Sequence, residues 1–243
     1  MNTIKKSVAA YGSTHPHKIV KKTGGKKKLN VPGTPPVEIA ILIGEMVYQM
    51  RSALDHLVFE LVKGNPNVAA IDPQWEEHTQ FPMRTRLPKN CTFPLVKERF
   101  SKDLPGIADV PFTFIESIQP YYGIGATNNA LRFLAHLSNI DKHRHLHLTR
   151  PRIRQYESVR YSDGMSGRGY SILDRGAEIH PYPSTNSEKP MYVKRHYTAL
   201  VAFNEPKCLG EANSLPVDQF LELLLNQIKT HVVPAFEKFI KKP

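Results

Sequence analysis

Apolar residues recur at steps of three and four from Val37 to Lys63, the longest strongly apolar stretch of the chain. This spacing predicts a helix with one broad buried face, because an α-helix completes a turn in ~3.6 residues. The sequence VPGTPP precedes the stretch and Gly64-Asn65-Pro66 follows it, and both are typical of helix boundaries. We take this helix as the central element of the fold.

Similar spacing predicts three further helices, at about 109–119, 127–146 and 215–241, the last with a kink at Pro234. Beyond His147 the pattern changes, since apolar and polar residues alternate and are rich in Tyr, Val and Ile. Alternation indicates strands, and we place about three antiparallel strands within 148–204. The prediction is an α+β fold with a core of about four helices and a small antiparallel sheet inserted before the C-terminal helix.

The first 36 residues differ in composition from the remainder, because many lysines lie among Gly, Ser and Thr before any apolar periodic segment. We predict a basic, largely flexible arm over residues 1–36, followed by a single α+β domain over residues 37–243. The formal net charge is +11 and the pI is about 9.6. A field of this sign attracts RNA or another polyanion, although a solvated tail that aids solubility explains the arm equally well.

The sequence lacks the motifs that identify several classes of protein. Cys91 and Cys208 are far apart and lack a partnering motif, which indicates neither a disulfide framework nor a zinc site and fits a reducing cytoplasm. No uncharged apolar stretch of ~18 residues is present, so no membrane span is expected. The GxxxxGK[ST], GxGxxG and GxSxG motifs are absent, and we predict no cofactor.

The central helix carries one candidate catalytic pair, Arg51 and His56. Without a metal, a His can move a proton while an Arg stabilises charge on a phosphate. On one helix, however, a separation of five residues leaves the two side chains about 140° apart. Asp55 is four residues from Arg51 and can pair with it directly. Two interpretations stay open: a structural Arg51–Asp55 ion pair with His56 bonded to a neighbouring helix, or a catalytic site completed by another helix or a second copy.

A second polar stripe is predicted on the helix at 127–146. Arg132, His136, Asn139 and His143 follow one another at steps of four, three and four, which places them on one face. With Asp141 they form a set of versatile side chains, where a solvated face would normally carry Lys and Glu. We assign these five residues, together with Asp55, a supporting role in the candidate site.

Asp141, His143, His145 and His147 form a dense group that could hold a metal. An extended segment would align the three imidazoles, whereas a helical one would align Asp141 with His145, and the two geometries exclude each other. The positive side chains near the helix end are also explained by the helix macrodipole. We therefore predict no metal ligand here, and whether His143, His145 and His147 bind a metal stays open.

Two resemblances follow from these segments. The stretches IGEMVYQMRSALDHLVFELV, TQFPM, IESIQPYYG and LRFLAHLSNIDKHRHLHL, within about residues 43–148, resemble a bacterial protein family of unassigned activity that carries LRSALDHL and NIDKHR segments. The chain also resembles the HEPN helical superfamily, whose ribonucleases carry an Arg, four to six residues and a His, and usually act as dimers without metal. Arg51 and His56 match this motif, with Ser52 where Asn, Asp or His is commoner.

The HEPN resemblance implies a metal-independent ribonuclease of the defence or toxin type that acts as a homodimer, with His56 moving the proton and Arg51 stabilising the phosphate. The expected function is thus a nucleic-acid-directed protein. The alternative is a non-catalytic binding or structural protein whose helices are joined by polar pairs.

Overall fold

The computed structural model describes residues 1–14, 18–21, 27–30, 33–86, 98–122, 125–142, 147, 149–161, 166–174, 177–179, 192–204 and 215–240. Within these ranges the chain forms an α+β fold, as predicted, with eight α-helices and six β-strands. The helices are α1 (Asn2–Thr14), α2 (Val37–Lys63), α3 (Val68–Ile71), α4 (Trp75–His78), α5 (Asp109–Ser117), α6 (Ala126–Lys142), α7 (Val217–Gln227) and α8 (Val233–Glu237). The strands are β1 (Lys18–Lys21), β2 (Lys27–Asn30), β3 (Thr149–Arg160), β4 (Ser166–Asp174), β5 (Glu178–Ile179) and β6 (Tyr192–Phe203).

The chain divides into two compact units. The first comprises Met1–Leu42 with His147–Phe220, and the second comprises Ile43–Leu146 with Leu221–Pro243. This division differs from the predicted single domain over 37–243. The physical reason is that the N-terminal residues fold with the strands and share a core with them.

The first unit contains the predicted antiparallel sheet of three strands and, in addition, a second, smaller antiparallel sheet. In the larger sheet, β3 is central and pairs with both β4 and β6, so that Tyr156 lies opposite Tyr170 on one side and His196 on the other. The smaller sheet has the order β1-β2-β5. Its strands are short and Lys-rich, and such segments show no alternation by which sequence reasoning could identify them.

Helix α1 packs on β6 within the first unit. Ile4, Val8 and Tyr11 are buried, and their spacing of four and then three residues places them on one helical face. A Cβ atom at Gly12 would lie 2.8 Å from the carbonyl oxygen of Ala199, so the helix and the strand approach closely there. The predicted flexible arm over 1–36 is therefore corrected at residues 2–14, where three apolar side chains stabilise a packed helix.

The second unit is built from helices whose buried faces match the predicted stripes. Helix α2 covers the predicted range of 37–63, whereas α6 ends at Lys142 rather than near residue 146. The fully or nearly buried side chains of this unit include Val47, Leu54, Val58, Phe112, Ile115, Leu131, Leu134, Leu137, Ile228, Val232 and Phe236. None of the helices in the described ranges has the length and apolarity needed to cross a membrane.

The irregular chain after α2 is held by aromatic contacts. Trp75 of α4 lies against Phe59 of α2, with ring centres 5.0 Å apart, and Phe81 is completely buried. Aromatic pairs of this kind contribute about 0.5–1.5 kcal/mol beyond the area they bury. They keep a segment with little secondary structure in one place.

The C-terminal helical segment is interrupted, as the predicted kink at Pro234 requires. A π-helical turn, Ile228–Val232, separates α7 from α8, and Pro234 is the second residue of α8. Proline has no N–H to donate to the preceding turn, so the regular hydrogen-bond ladder cannot continue through it. Phe236 packs beyond this turn, edge-on against Phe114 at 4.9 Å between ring centres.

The close approach at Gly12 makes a first prediction. Gly12→Ala would stabilise an isolated helix by roughly 1 kcal/mol, but the added Cβ collides with the backbone of β6. We expect the variant to be less stable than the parent chain by about 1 kcal/mol or more, measured by urea unfolding followed by circular dichroism. Gly167→Ala is the control, since a Cβ there meets nothing within 4 Å. A stabilised Gly12→Ala variant would contradict the packing of α1 on β6.

Candidate nucleic-acid interface

The predicted catalytic pair, Arg51 and His56, lies on α2, five residues apart in an unbroken helix. Arg51 is largely buried, with 12 % of its side chain exposed, whereas His56 is exposed. Among the residues that the structure describes, Arg51 contacts Asp55 and Gln80, and no hydrogen bond or ion pair involves His56. One copy of helix α2 therefore does not direct the side chains of Arg51 and His56 to the same point.

Arg51 and Asp55 form a bidentate ion pair. Arg51 Nε donates to Asp55 Oδ2 at 3.0 Å, and Arg51 Nη2 lies 3.0 Å from Asp55 Oδ1. Asp55 Oδ1 also accepts the backbone N–H of Phe81 at 2.7 Å, and Arg51 Nη2 donates to Gln80 Oε1 at 3.4 Å. The pairing matches the structural interpretation of the sequence, except that His56 faces solvent instead of bonding a neighbouring helix. The pair fixes the TQFPM segment to α2.

The contacts continue from Gln80 to Asp103, which is only 5 % exposed. Gln80 Nε2 donates to Asp103 Oδ1 at 2.9 Å, and the Gln80 backbone N–H donates to the Asp103 carbonyl oxygen at 3.1 Å. The guanidinium of Arg84 pairs with the other carboxylate oxygen and lies over the ring of Phe100. A buried carboxylate is costly unless it is paired and hydrogen-bonded, and here it has both kinds of partner.

Gln119 closes this set of contacts from the other side. It is completely buried, its Nε2 donates to the carbonyl oxygens of Pro82 and Ile115 at 2.9 and 3.0 Å, and its Oε1 accepts the backbone N–H of Arg84 at 2.9 Å. An interior amide of this kind stabilises only one position of the extended segment. The polar groups around Arg51 thus form a structural network.

Glu116, on α5, accepts hydrogen bonds from two tyrosines of the adjoining turn. Tyr121 donates to Glu116 Oε1 at 3.0 Å, and Tyr122 donates to the same oxygen. The hydrogen bond to the carboxylate, together with burial, raises the pKa of Tyr122 to about 12. The hydroxyl of Tyr122 therefore stays protonated and acts as a donor throughout the physiological pH range.

The supporting residues predicted on α6 are found in different surroundings. Arg132 and Asn139 are exposed, and His136 is partly buried with its Nε2 enclosed. The side chain of Asp141 and the whole of His143 lie outside the described residues. The contacts of Arg51 go to α2 itself and to the TQFPM segment rather than to α6.

The predicted group of possible metal ligands is mostly outside the described part of the chain. His143 and His145 are not described, and the same holds for the side chain of Asp141. His147 is 2 % exposed and lies edge-on to Phe203, with ring centres 6.3 Å apart. Among the described residues, no group of three or more His, Cys, Asp or Glu side chains is arranged to hold a metal.

One face of the larger sheet carries cationic and aromatic side chains together. Directly opposed residues of an antiparallel pair have side chains on the same face, so the register decides which residues meet. On this face, which we call the basic face, lie Arg154, Tyr156 and Arg160 of β3, Arg168 of β4, and Tyr192, Lys194 and His196 of β6. The alternation of β3 brings a Tyr between two Arg.

Most of the basic face is exposed. The two tyrosines, Tyr156 and Tyr192, are 42 % and 56 % exposed, and Arg160 and Lys194 are exposed as well. Arg154 is partly buried, because it donates to the hydroxyl of Tyr156 at 3.0 Å and to Gln219 Oε1 at 3.1 Å. The guanidinium carbon of Arg154 also lies 5.8 Å from the centre of the Tyr156 ring, so Arg154 holds Tyr156 in one orientation while the residue stays exposed.

The sequence contained a signal for this face that the helix-centred interpretation did not use. In the segment RPRIRQYESVR, arginines occupy positions 150, 152, 154 and 160, each an even number of residues apart, with Tyr156 among them. Even spacing in a strand places side chains on one face. Arg152 is 7 % exposed, so the row faces solvent only in its C-terminal part, at Tyr156 and Arg160.

Comparison with protein-family models, with curated proteins and with solved structures finds no match for this chain.

The network around Arg51 makes a second prediction. Arg51→Ala leaves the Asp55 carboxylate without its bidentate partner, so we expect the free energy of unfolding to fall by about 1–3 kcal/mol. The comparison is His56→Ala, at an exposed position of the same helix, where we expect a change within about 0.5 kcal/mol. Both are measured by urea unfolding. Equal stability of the two variants would contradict a structural role for Arg51.

Proposed function

We propose that this protein binds single-stranded nucleic acid, RNA in the first place, through the basic face of the larger sheet. The observation that carries the proposal is the combination of exposed Tyr and cationic side chains on one face, set by the register of β3 with β4 and β6. Proteins that hold single strands combine a positive surface for the backbone with aromatic rings on which bases stack.

The charge of the chain supports a polyanionic partner. The net charge of +11 gives a long-range field that favours encounter with phosphates. Arg160, Arg168 and Lys194 lie around the two tyrosines of the basic face and are exposed. Each can contact a phosphate while the bases lie against the rings.

The tyrosines favour a single strand over a duplex. In a duplex the bases are stacked on one another and their faces are closed to protein side chains, whereas unpaired bases can stack on aromatic rings. Tyr192 lies opposite Arg160, four residues along β3 from Tyr156, which separates the two tyrosines by about 13 Å along the strand direction. Two such rings can support separate bases of one extended strand.

A third prediction tests the basic face. We expect Arg160→Ala with Lys194→Ala to weaken binding of a fluorescein-labelled nonauridylate about tenfold or more, and to reduce the slope of log K against log salt by about 0.7 per lost phosphate contact. Tyr156→Ala should weaken binding by roughly 1–3 kcal/mol through lost stacking. Fluorescence anisotropy measures both.

Matched variants away from the sheet control for charge and for an exposed ring. Lys102→Ala with Lys229→Ala removes the same charge, and Tyr48→Ala removes a tyrosine that is 65 % exposed. Binding should be nearly unchanged in these controls. Equal losses in the controls and in the basic-face variants would contradict the proposed interface.

A ribonuclease of the HEPN type is the second candidate, and the observation that favours it is the exposed His56, five residues beyond Arg51 on α2. With Arg51 held by Asp55 and Gln80, an additional cation from a second copy would have to stabilise the phosphate. The homodimer that the resemblance implies is thus part of this candidate. Light scattering of the purified chain measures it directly.

Cleavage is tested separately from binding, as a fourth prediction. Total RNA is incubated with the protein and a chelator, alongside His56→Ala, which removes an exposed side chain and should leave the fold intact. For a HEPN ribonuclease we expect cleavage that survives the chelator and is lost in His56→Ala. Intact RNA, together with binding that depends on the basic face, would assign the protein to the non-catalytic binders.

A further inference from the structure

The other face of the larger sheet contains a hollow of about 320 Å³. It lies over the paired strands β3 and β4, and its lining includes Gln155, Glu157 and Tyr161 of the β3 side and two glycines of β4. The volume is near the lower end of the ~300–1,000 Å³ typical of ligand pockets, which suits a ligand of nucleobase or nucleoside size.

The floor of the hollow exists because two residues of β4 have no side chain. Gly167 lies opposite Val159 and Gly169 lies opposite Glu157. A Cβ atom at either glycine would meet nothing within 4 Å, so neither glycine is required by close packing. Their effect is to leave flat peptide surface open, against which a planar group can lie.

The wall of the hollow is an ordered set of hydrogen-bonding groups. Glu157 Oε1 accepts from Arg195 Nε and Nη2 at 3.3 and 3.1 Å, and Glu157 Oε2 accepts from Gln155 Nε2 at 3.3 Å. These bonds use about three of the roughly four acceptor positions of the carboxylate. The remaining position and the Oε1 of Gln155 give two neighbouring acceptors.

The charges around the hollow decide which ligand these acceptors suit. Arg195 already neutralises Glu157, and Arg168 adds a positive charge at the rim. A cationic ligand such as an arginine or amine would be repelled by this surplus. The hollow instead favours a neutral planar group that is attached to an anionic backbone. Such a group would donate hydrogen bonds from two adjacent N–H groups.

We propose that the hollow binds a guanine base of the single strand whose backbone lies on the basic face. Among the RNA bases, guanine presents adjacent N1–H and N2–H donors, which match the neighbouring acceptors of Glu157 and Gln155. Tyr161 and the peptide surface of Gly167 and Gly169 supply apolar contact to the ring. Arg168 lies at the edge strand between the two faces, where a strand passing from one to the other would place a phosphate. The inference rests on the proposed function and adds base preference to it.

The experiment compares three probes: labelled nonauridylate, the same strand with one central guanosine, and guanosine 5′-monophosphate. We expect the guanosine-containing strand to bind about tenfold more tightly than nonauridylate, the discrimination of one good paired contact. Gly169→Val, which fills the hollow, and Glu157→Gln, which removes an acceptor, should each abolish the preference while leaving nonauridylate affinity unchanged. Glu76→Gln, at an exposed carboxylate of α4, is the control for charge.

The outcomes separate the two proposals. Equal affinity of the two strands for the parent chain would overturn the guanine site and leave the basic face standing. If neither strand binds, the basic face is overturned. If the monophosphate then binds the parent chain but not Gly169→Val, the hollow is still supported. If the monophosphate does not bind the parent chain either, both the basic face and the hollow are overturned. A preference that persists in both hollow variants would place base recognition elsewhere and overturn the inference.

Discussion

Successive side chains of a β-strand must point to opposite faces, and this constraint determines what β3 presents to a ligand. The even-numbered positions from Arg154 to Arg160 give one face its cations and a tyrosine, and the odd-numbered positions give the other face Gln155, Glu157 and Val159. A shift of one residue in register would exchange the two sets. The pairing of β3 on both sides is therefore what makes both proposed binding features possible.

The helical unit shows how the same types of side chain can serve structure alone. Arg51, Asp55 and Asp103 have the identities expected of a catalytic centre, yet their hydrogen bonds go to Gln80, to Arg84 and to the backbone of Phe81. Buried carboxylates need such partners, and an extended segment with little regular structure needs fixed points. Both needs are met by the same contacts.

A contact could be predicted from the sequence only where the residues that make it are close together along the chain. The bounds of α2 follow from prolines before it and Gly64 after it, and the Arg51–Asp55 pair follows from a spacing of four. The contacts of Gln80 and Asp103 with this network could not be predicted, because no periodic spacing links these residues to α2. Helix α1 was not predicted, because Ile4, Val8 and Tyr11 are the only strong indication of a buried helical face in a Lys-rich, polar segment. The hollow depends on Gly169 lying opposite Glu157, which alternation alone does not specify.

The contact between Trp75 and Phe59 has a practical consequence for spectroscopy. Trp75 is the only tryptophan of the chain, and it belongs to the helical unit together with Phe59. Its emission therefore reports on the environment of that unit and is blind to unfolding confined to the sheets. Tyrosines such as Tyr156 and Tyr192, by contrast, lie on the larger sheet. Tryptophan emission can thus follow the helical unit selectively, without any added label, whereas tyrosine emission comes from both units, since Tyr48, Tyr121 and Tyr122 lie in the helical one.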